Sequence, residues 1–247
     1  MRAIILAAGE GKRLKPYTDN LPKCLVKLKD KPLLQYQLDL LNSFNIKDIN
    51  VVTGYKQEKI KFKNIKKFYN HDYKTTNMVT TLFCCRELFD GKQDILISYG
   101  DIVYNKLALK SILDAKNKIN VLIDKEWRRY WEYRMTDPLK DAETLKINED
   151  GNIKEIGKKP KSFDDIEGQY IGVIKVRKDV TKNLLKFYDT LDRNKFYDDN
   201  NFKNMYMTSF LQTVIDNFGS VKPVYINNGW LEVDEPSDLN CSKFLKL

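Results

Sequence analysis

The chain has a single histidine in 247 residues, His71, set among Tyr69, Asn70 and Asp72. That scarcity argues against a His-based triad and against a multi-histidine metal site, and His71 itself reads as a surface residue. Cysteine is also sparse: Cys24, Cys84, Cys85 and Cys241. No pair has metal-ligand spacing, and the adjacent Cys84 and Cys85 make a poor disulfide. Reduced thiols in a cytoplasmic protein are therefore expected. No apolar run approaches the roughly 18 residues that a membrane helix needs. The opening stretch Met1 to Ala8 is too short for a secretory signal and runs straight into a glycine loop, so it is expected to stay with the chain. The dinucleotide fingerprint G-x-G-x-x-G and the P-loop G-x-x-x-x-G-K-[ST] are both missing. Basic residues outnumber acidic ones, 43 to 34. They are scattered, and no basic run is interleaved with aromatics, so nucleic acid is not an expected partner. The excess serves either as a solvated surface or as attraction for a polyanionic substrate.

What is present is an ordinary globular composition, 42% hydrophobic and 31% charged, with length enough to bury a large core. Segments alternate as in an α/β fold. Strands are expected at Arg2 to Leu6, Ile49 to Val52, Ile95 to Tyr99, Val121 to Asp124, Tyr170 to Val176 and Val221 to Ile226. Helices are expected at Pro32 to Phe44, Asn77 to Leu88, Val180 to Leu191 and Met207 to Phe218. Strands separated by helices imply parallel pairing. From about Trp127 to Gly168 the chain turns polar. Short strands at Glu143 to Ile147 and Ile153 to Ile156 flank a hairpin turn, Asn148 to Asn152. No repeat or low-complexity linker is visible.

Three segments carry chemistry. The richest is Leu6 to Lys27, LAAGEGKRLKPYTDNLPKCLVK. Gly9 and Gly11 let the backbone turn tightly and bring N–H groups to an anion, and Lys12, Arg13 and Lys23 add fixed positive charge. The second is Ser98-Tyr99-Gly100-Asp101 at the end of an apolar strand, where ligands of open α/β sheets bind. Asp101 there either caps a turn or holds a cation. The third is Trp230-Leu231-Glu232-Val233-Asp234. Alternation puts Trp230, Glu232 and Asp234 on one face of a strand.

The stretch LAAGEGKRLKPYTDNLPKCLVKL resembles the signature of the sugar-nucleotide and cytidylyltransferase family, and the resemblance runs over nearly the whole chain. It implies an α/β, Rossmann-like, mixed and mostly parallel sheet flanked by helices, with a small acceptor-side insertion. A single domain is expected over 1–247, with a nucleotide-binding core at 1–126, the insertion at 127–170 and the rest of the core at 171–247. The resemblance further implies transfer of a nucleoside monophosphate to a phosphorylated acceptor, with Mg²⁺ held by Asp101 and Asp234 and with Arg13 and Lys23 neutralising phosphate charge. The nucleotide is expected along Leu6, Ala7, Ala8, Gly9, Glu10, Gly11, Lys12, Arg13, Lys23, Tyr73, Thr76, Asn77, Met78 and Gly100. Asn77 is also a plain helix N-cap. The middle of the chain, with TNMVTTLFC and NMYMTSFLQ, is similar to the branch that acts on phosphocholine, aminoalkylphosphonates and phosphoglutamine. That similarity implies CTP as donor, a small phosphorylated amine or amino acid as acceptor, and a place in surface-polysaccharide synthesis. Candidate acceptor contacts are Lys125, Glu143, Lys158, Lys159, Glu167, Gln169, Tyr170, Trp230 and Glu232. Carboxylates suit an ammonium, and aromatic faces add cation–π attraction. Tyr170 and Trp230 equally suit core packing. Two other readings use the same scaffold: a sugar-1-phosphate nucleotidyltransferase using UTP or dTTP, and a silent nucleotide-binding regulator.

Overall fold

A computed structural model describes residues 1–245. Its centre is a seven-stranded sheet: β1 (Arg2–Ala7), β2 (Asp48–Thr53), β3 (Lys66–Tyr69), β4 (Ile95–Tyr99), β5 (Ile119–Asp124), β6 (Gln169–Val176) and β7 (Val221–Ile226). The spatial order is β7-β5-β6-β4-β1-β2-β3. β1 pairs in parallel with both β2 and β4, β2 with β3, and β7 with β5. β6 alone runs antiparallel, against β4 and β5. The sheet is thus mixed and mostly parallel.

The apolar runs explain this sheet. Every residue of β1 and β5 is buried, as expected of strands covered on both faces. Alternation divides β1 between two cores: Ala3, Ile5 and Ala7 join one, Ile4 and Leu6 the other. Helices α1 (Leu33–Ser43), α3 (Lys106–Asp114) and α4 (Trp127–Arg134) pack on the first side. Helices α2 (Met78–Leu82), α5 (Lys178–Thr190) and α6 (Met207–Phe218) pack on the second.

Several expectations are corrected. The helix expected at Asn77 to Leu88 is α-helical only to Leu82. Phe83–Leu88 tightens to 3₁₀ form, with a kink at Cys85. β3, α3 and α4 are not among the expected elements. α4 opens the polar stretch, yet Trp127, Tyr130 and Trp131 are buried in the core while Arg128, Arg129 and Glu132 face outward. The hairpin Leu145–Ile147 with Ile153–Ile156 is present, but Glu143 and Thr144 precede its first strand. All four cysteines are free thiols, and His71 is exposed. Among the described residues no helix is long and apolar enough to cross a membrane.

Candidate active site

The parallel strands β1, β4 and β5 end on one edge of the sheet, at Ala7, Tyr99 and Asp124. Reversed β6 begins on that same edge, with Gln169 opposite Asp124. The site is built there.

The loop after β1 turns at Gly11, whose φ is +66°. A Cβ there would lie 3.0 Å from Lys23 Cβ and 3.1 Å from Thr18 Cγ2, so a side chain would be strained and would press on Lys23. Thr18 closes the turn by donating to the Gly11 carbonyl at 2.8 Å. Gly100, after β4, donates its N–H to Leu6 O at 2.8 Å. A Cβ on Gly100 would sit 2.6 Å from that carbonyl and 3.0 Å from Ala7 Cβ. Gly100→Ala is therefore expected to separate the ends of β1 and β4 and to cost roughly 2 kcal/mol, a typical loss for a core clash. A thermal melt checks this, and an unchanged midpoint would contradict the close approach.

Asp101, Glu232 and Asp234 present carboxylate oxygens all within 4.8 Å of one another. A short antiparallel pair, Ile102–Tyr104 with Trp230–Glu232, brings them together, and Val233 N–H bonds Asp101 O at 3.1 Å. The Lys23 ammonium bonds Asp101 at 2.6 Å and also bonds Asp234 directly. Arg13 reaches the other Asp234 oxygen at 2.9 Å. Burial alone would lower the Lys23 pKa, but Asp101, Asp234 and Glu232 outweigh it and hold it above its usual value. Burial likewise opposes ionisation of Asp234, yet Lys23 and Arg13 hold it below the usual carboxylate range. Glu232 goes the other way, pushed up to about 8 by burial and by Asp234 and Asp101. The set fits a hard divalent cation on two observations. Asp101 Oδ1 is buried without a hydrogen-bond partner, and the donors are all oxygens already gathered around a positive charge.

Two cavities flank this cluster. A cavity of about 140 Å³ is lined by Leu6, Ala8, Gly9, Tyr73, Thr76, Asn77, Met78 and Asp101, among others. A shallower groove over Gly9, Glu10, Gly11, Lys12, Arg13 and Lys23 continues from it to Asp234. Ala7 and Gly100 lie beneath, in the β1–β4 contact. Asn77 does cap α2, its side chain accepting from Met78 N–H at 2.8 Å.

The second cavity, about 250 Å³, holds Glu143, Gln169, Tyr170, Trp230 and Glu232, with Arg13 and Asp234 at the cluster end. Gln169 clamps the backbone of Glu143 in both directions, accepting its N–H at 3.0 Å and donating to its carbonyl at 2.5 Å. Glu143 itself accepts from the Thr208 hydroxyl at 3.2 Å. Burial pushes Glu143 up to about 7 against that bond, and Asp141 and Asp198 add to the shift. Trp230 is both core and lining: 2% exposed, its indole N–H bonds Asp124 at 2.8 Å.

The other expected acceptor contacts lie elsewhere. Lys125 is exposed, with its ammonium over the Tyr225 ring. Lys158 pairs with Glu155 at 2.6 Å, and Lys159 is exposed. Glu167 accepts from Ile147 N–H at 3.0 Å and ties down the hairpin. Sequence reasoning missed Trp131, Asp141, Tyr206, Met207 and Thr208, which also line this cavity. The i, i+3, i+4 spacing of Trp127, Tyr130 and Trp131 was the signal available for the first. The others lie on loops or helix starts without a pattern.

A glycine loop and a carboxylate cluster on this sheet edge, between two cavities, define a nucleotidyltransferase. The sequence model of the MobA-like NTP transferase domain matches residues 3–152, and the chain belongs to that family. It is 44% identical to the CTP:phosphoglutamine cytidylyltransferase of Campylobacter jejuni subsp. jejuni serotype O:2, over 97% of this chain and 98% of that protein. It is 38% identical to the choline-phosphate cytidylyltransferase of Streptococcus pneumoniae, over 35% of this chain and 40% of that one. Among solved structures, the CTP:phosphocholine cytidylyltransferase of Streptococcus pneumoniae superposes with a TM-score of 0.71 at 23% identity, covering 99% of both chains. The inositol-1-phosphate CTP transferase of T. maritima gives 0.76 at 22%, covering 98% of this chain and 93% of that one, and both share the fold.

Proposed function

We propose that this chain is a cytoplasmic, CTP-dependent cytidylyltransferase that moves CMP to a small phosphorylated amine or amino acid, with phosphoglutamine the first candidate. The product is a CDP-linked compound for surface-polysaccharide modification, and pyrophosphate leaves. The observation that carries this is the acid-lined cavity opening on the Asp101–Asp234 cluster opposite the glycine loop. Asp141, Glu143 and Glu232 line it, and Arg13 is its one basic lining residue among those described. That wall suits an acceptor with an ammonium at one end and a phosphate toward Arg13. The 44% relative supports CTP and phosphoglutamine.

In this reading the cytosine base lies by Ala8, Tyr73 and Asn77, and the triphosphate follows the loop to Lys23. Asp101 and Asp234 would hold Mg²⁺, which would supply charge neutralisation on the α-phosphate and the leaving pyrophosphate. Lys23 and Arg13 orient the phosphates and stabilise the developing charge. The acceptor phosphate is already anionic near neutral pH, so no side chain removes a proton. Positioning supplies the remaining acceleration.

The test is pyrophosphate release with CTP and Mg²⁺ across phosphoglutamine, phosphocholine, 2-aminoethylphosphonate and glucose-1-phosphate. Strong release with an amine-bearing acceptor is expected. Release only with UTP or dTTP and a sugar phosphate would move the chain to the sugar-1-phosphate class, and silence with all would favour a regulator.

Glu143 gives a sharper expectation. Its carboxyl ionises near 7 in the folded protein and near its ordinary 4.5 unfolded. The folded state therefore binds the extra proton, and stability falls as pH rises from about 4.5 to 7. Binding of an ammonium has the opposite sign and strengthens as Glu143 ionises. With an amine acceptor, KM is expected to fall as pH rises through 7. Glu143→Gln should raise KM about tenfold, flatten that dependence and leave the KM for CTP within about twofold. A variant that keeps the wild-type acceptor KM would remove Glu143 from the ammonium site.

A further inference from the structure

We infer that Arg134, Asp238 and Tyr130 form a positioning layer that presets Asp234 and Glu232 for the divalent cation, an inference that rests on the metal reading above. The three residues lie behind the carboxylates, and none lines either cavity. Tyr130 and Arg134 are one turn apart on α4 and so share a face. Asp238 sits in the 3₁₀ segment Pro236–Phe244 that follows the carboxylate turn.

The contacts are specific to that turn. Arg134 forks onto Asp238, Nε to Oδ1 at 2.9 Å and Nη2 to Oδ2 at 3.2 Å. Its Nη1 stands 3.5 Å from Glu232 Oε2. Asp238 Oδ2 also accepts the N–H of Asp234 at 2.8 Å and of Glu235 at 2.9 Å. The Tyr130 hydroxyl donates to Glu232 O at 3.1 Å and accepts from Glu232 N–H at 3.0 Å. Both carboxylate-bearing residues are thus pinned by their backbone, and the Glu232 carboxylate lies within ion-pair range of Arg134.

A buried ion pair is weak as a source of stability, because desolvation offsets its attraction. The Arg134 and Asp238 side chains are 5% and 4% exposed. What the pair does distinctly is fix the peptide units at 234 and 235, and with them the direction of the Asp234 carboxylate. Groups that orient metal ligands in this way typically change metal affinity about 10–100-fold when lost.

The test is Mn²⁺ binding to the nucleotide-free protein, followed by loss of the free-ion EPR signal. Asp238→Asn and Arg134→Gln should weaken Mn²⁺ affinity about tenfold or more, and Tyr130→Phe several-fold. The Mg²⁺ concentration for half-maximal pyrophosphate release should rise by the same factors, and saturating Mg²⁺ should restore kcat. Arg134→Lys should recover part of the loss. A purely structural role would lower the melting temperature and leave the metal requirement alone. Should Arg134→Gln not fold, Tyr130→Phe carries the same test, because it removes one hydroxyl and no charge. Folded variants that bind Mn²⁺ as tightly as wild type would overturn the inference. A wild-type protein that binds no Mn²⁺ would overturn the metal reading beneath it.

Discussion

Asp101→Ala should reduce kcat for pyrophosphate release by at least about 10³-fold, with CTP and acceptor at saturation. The carboxylate is one of three that meet within 4.8 Å, and one of its oxygens is buried without a protein partner. A buried acceptor left without a donor is costly in the free protein and becomes useful when a cation arrives. Asp234→Ala should fall as far. Its backbone N–H would still bond Asp238, so the turn should persist and the melting temperature should move only a few degrees. Kinetics across a Mg²⁺ titration, paired with a melt, give both readouts. A kcat within tenfold of wild type in either folded variant would remove that residue from the metal site.

Lys23→Met should lower kcat by roughly 10²–10³-fold, about what one preorganised donor to a developing charge contributes. Its second effect is on stability. In the wild-type protein the ammonium lies between Asp101 and Asp234. Without it, Glu232 and Asp234 keep only Arg13 and Arg134 as nearby positive charges, and both ionise less readily than in wild type. Glu232 is already pushed up to about 8. Folded-state carboxyl pKa values above the unfolded ones mean that the folded protein holds more protons, so stability falls as pH rises. The variant should therefore melt lower at pH 8 than at pH 6, and Mg²⁺ should raise its melting point more than it raises that of wild type. Equal Mg²⁺ shifts in both proteins would show that Lys23 and the metal do not share these carboxylates.

Much of the fold was legible because the central strands are buried on both faces. Continuous runs such as Arg2 to Leu6 and Val121 to Asp124 mark doubly covered strands, and the helices between them imply parallel pairing. α4 was harder. Its outward Arg128, Arg129 and Glu132 mask the stripe of Trp127, Tyr130 and Trp131, and aromatic residues with polar edges carry little weight in an apolar count. The direction of β6 was not legible either, since strand character says nothing of polarity. In the site, the glycine loop was readable from local chemistry. The meeting of Lys23 with Asp101 and Asp234 spans 78 and 211 positions, so only the family resemblance pointed to it. Charge type alone said little about where the remaining acceptor candidates lie. Lys125, Lys159 and Glu167 have suitable groups, but their side chains lie on a ring, in solvent and on the hairpin. Thr208 and Asp141 had no pattern to give them away.

The reversed strand β6 has a consequence for how this scaffold diversifies. A parallel strand can offer a ligand only its last residues, and those places are taken by Ala7 and Tyr99 near the nucleotide cavity. Turned about, β6 offers its first residues instead, Gln169 and Tyr170, next to a segment that also supplies Trp131, Asp141 and Glu143. On the proposed reading much of the acceptor wall is thereby written in one tract of chain, and the loop after β1 adds only Arg13 to it. On that reading, substitutions within the tract can change the cargo and leave most of the loop after β1, where the nucleotide phosphates would lie, unaltered.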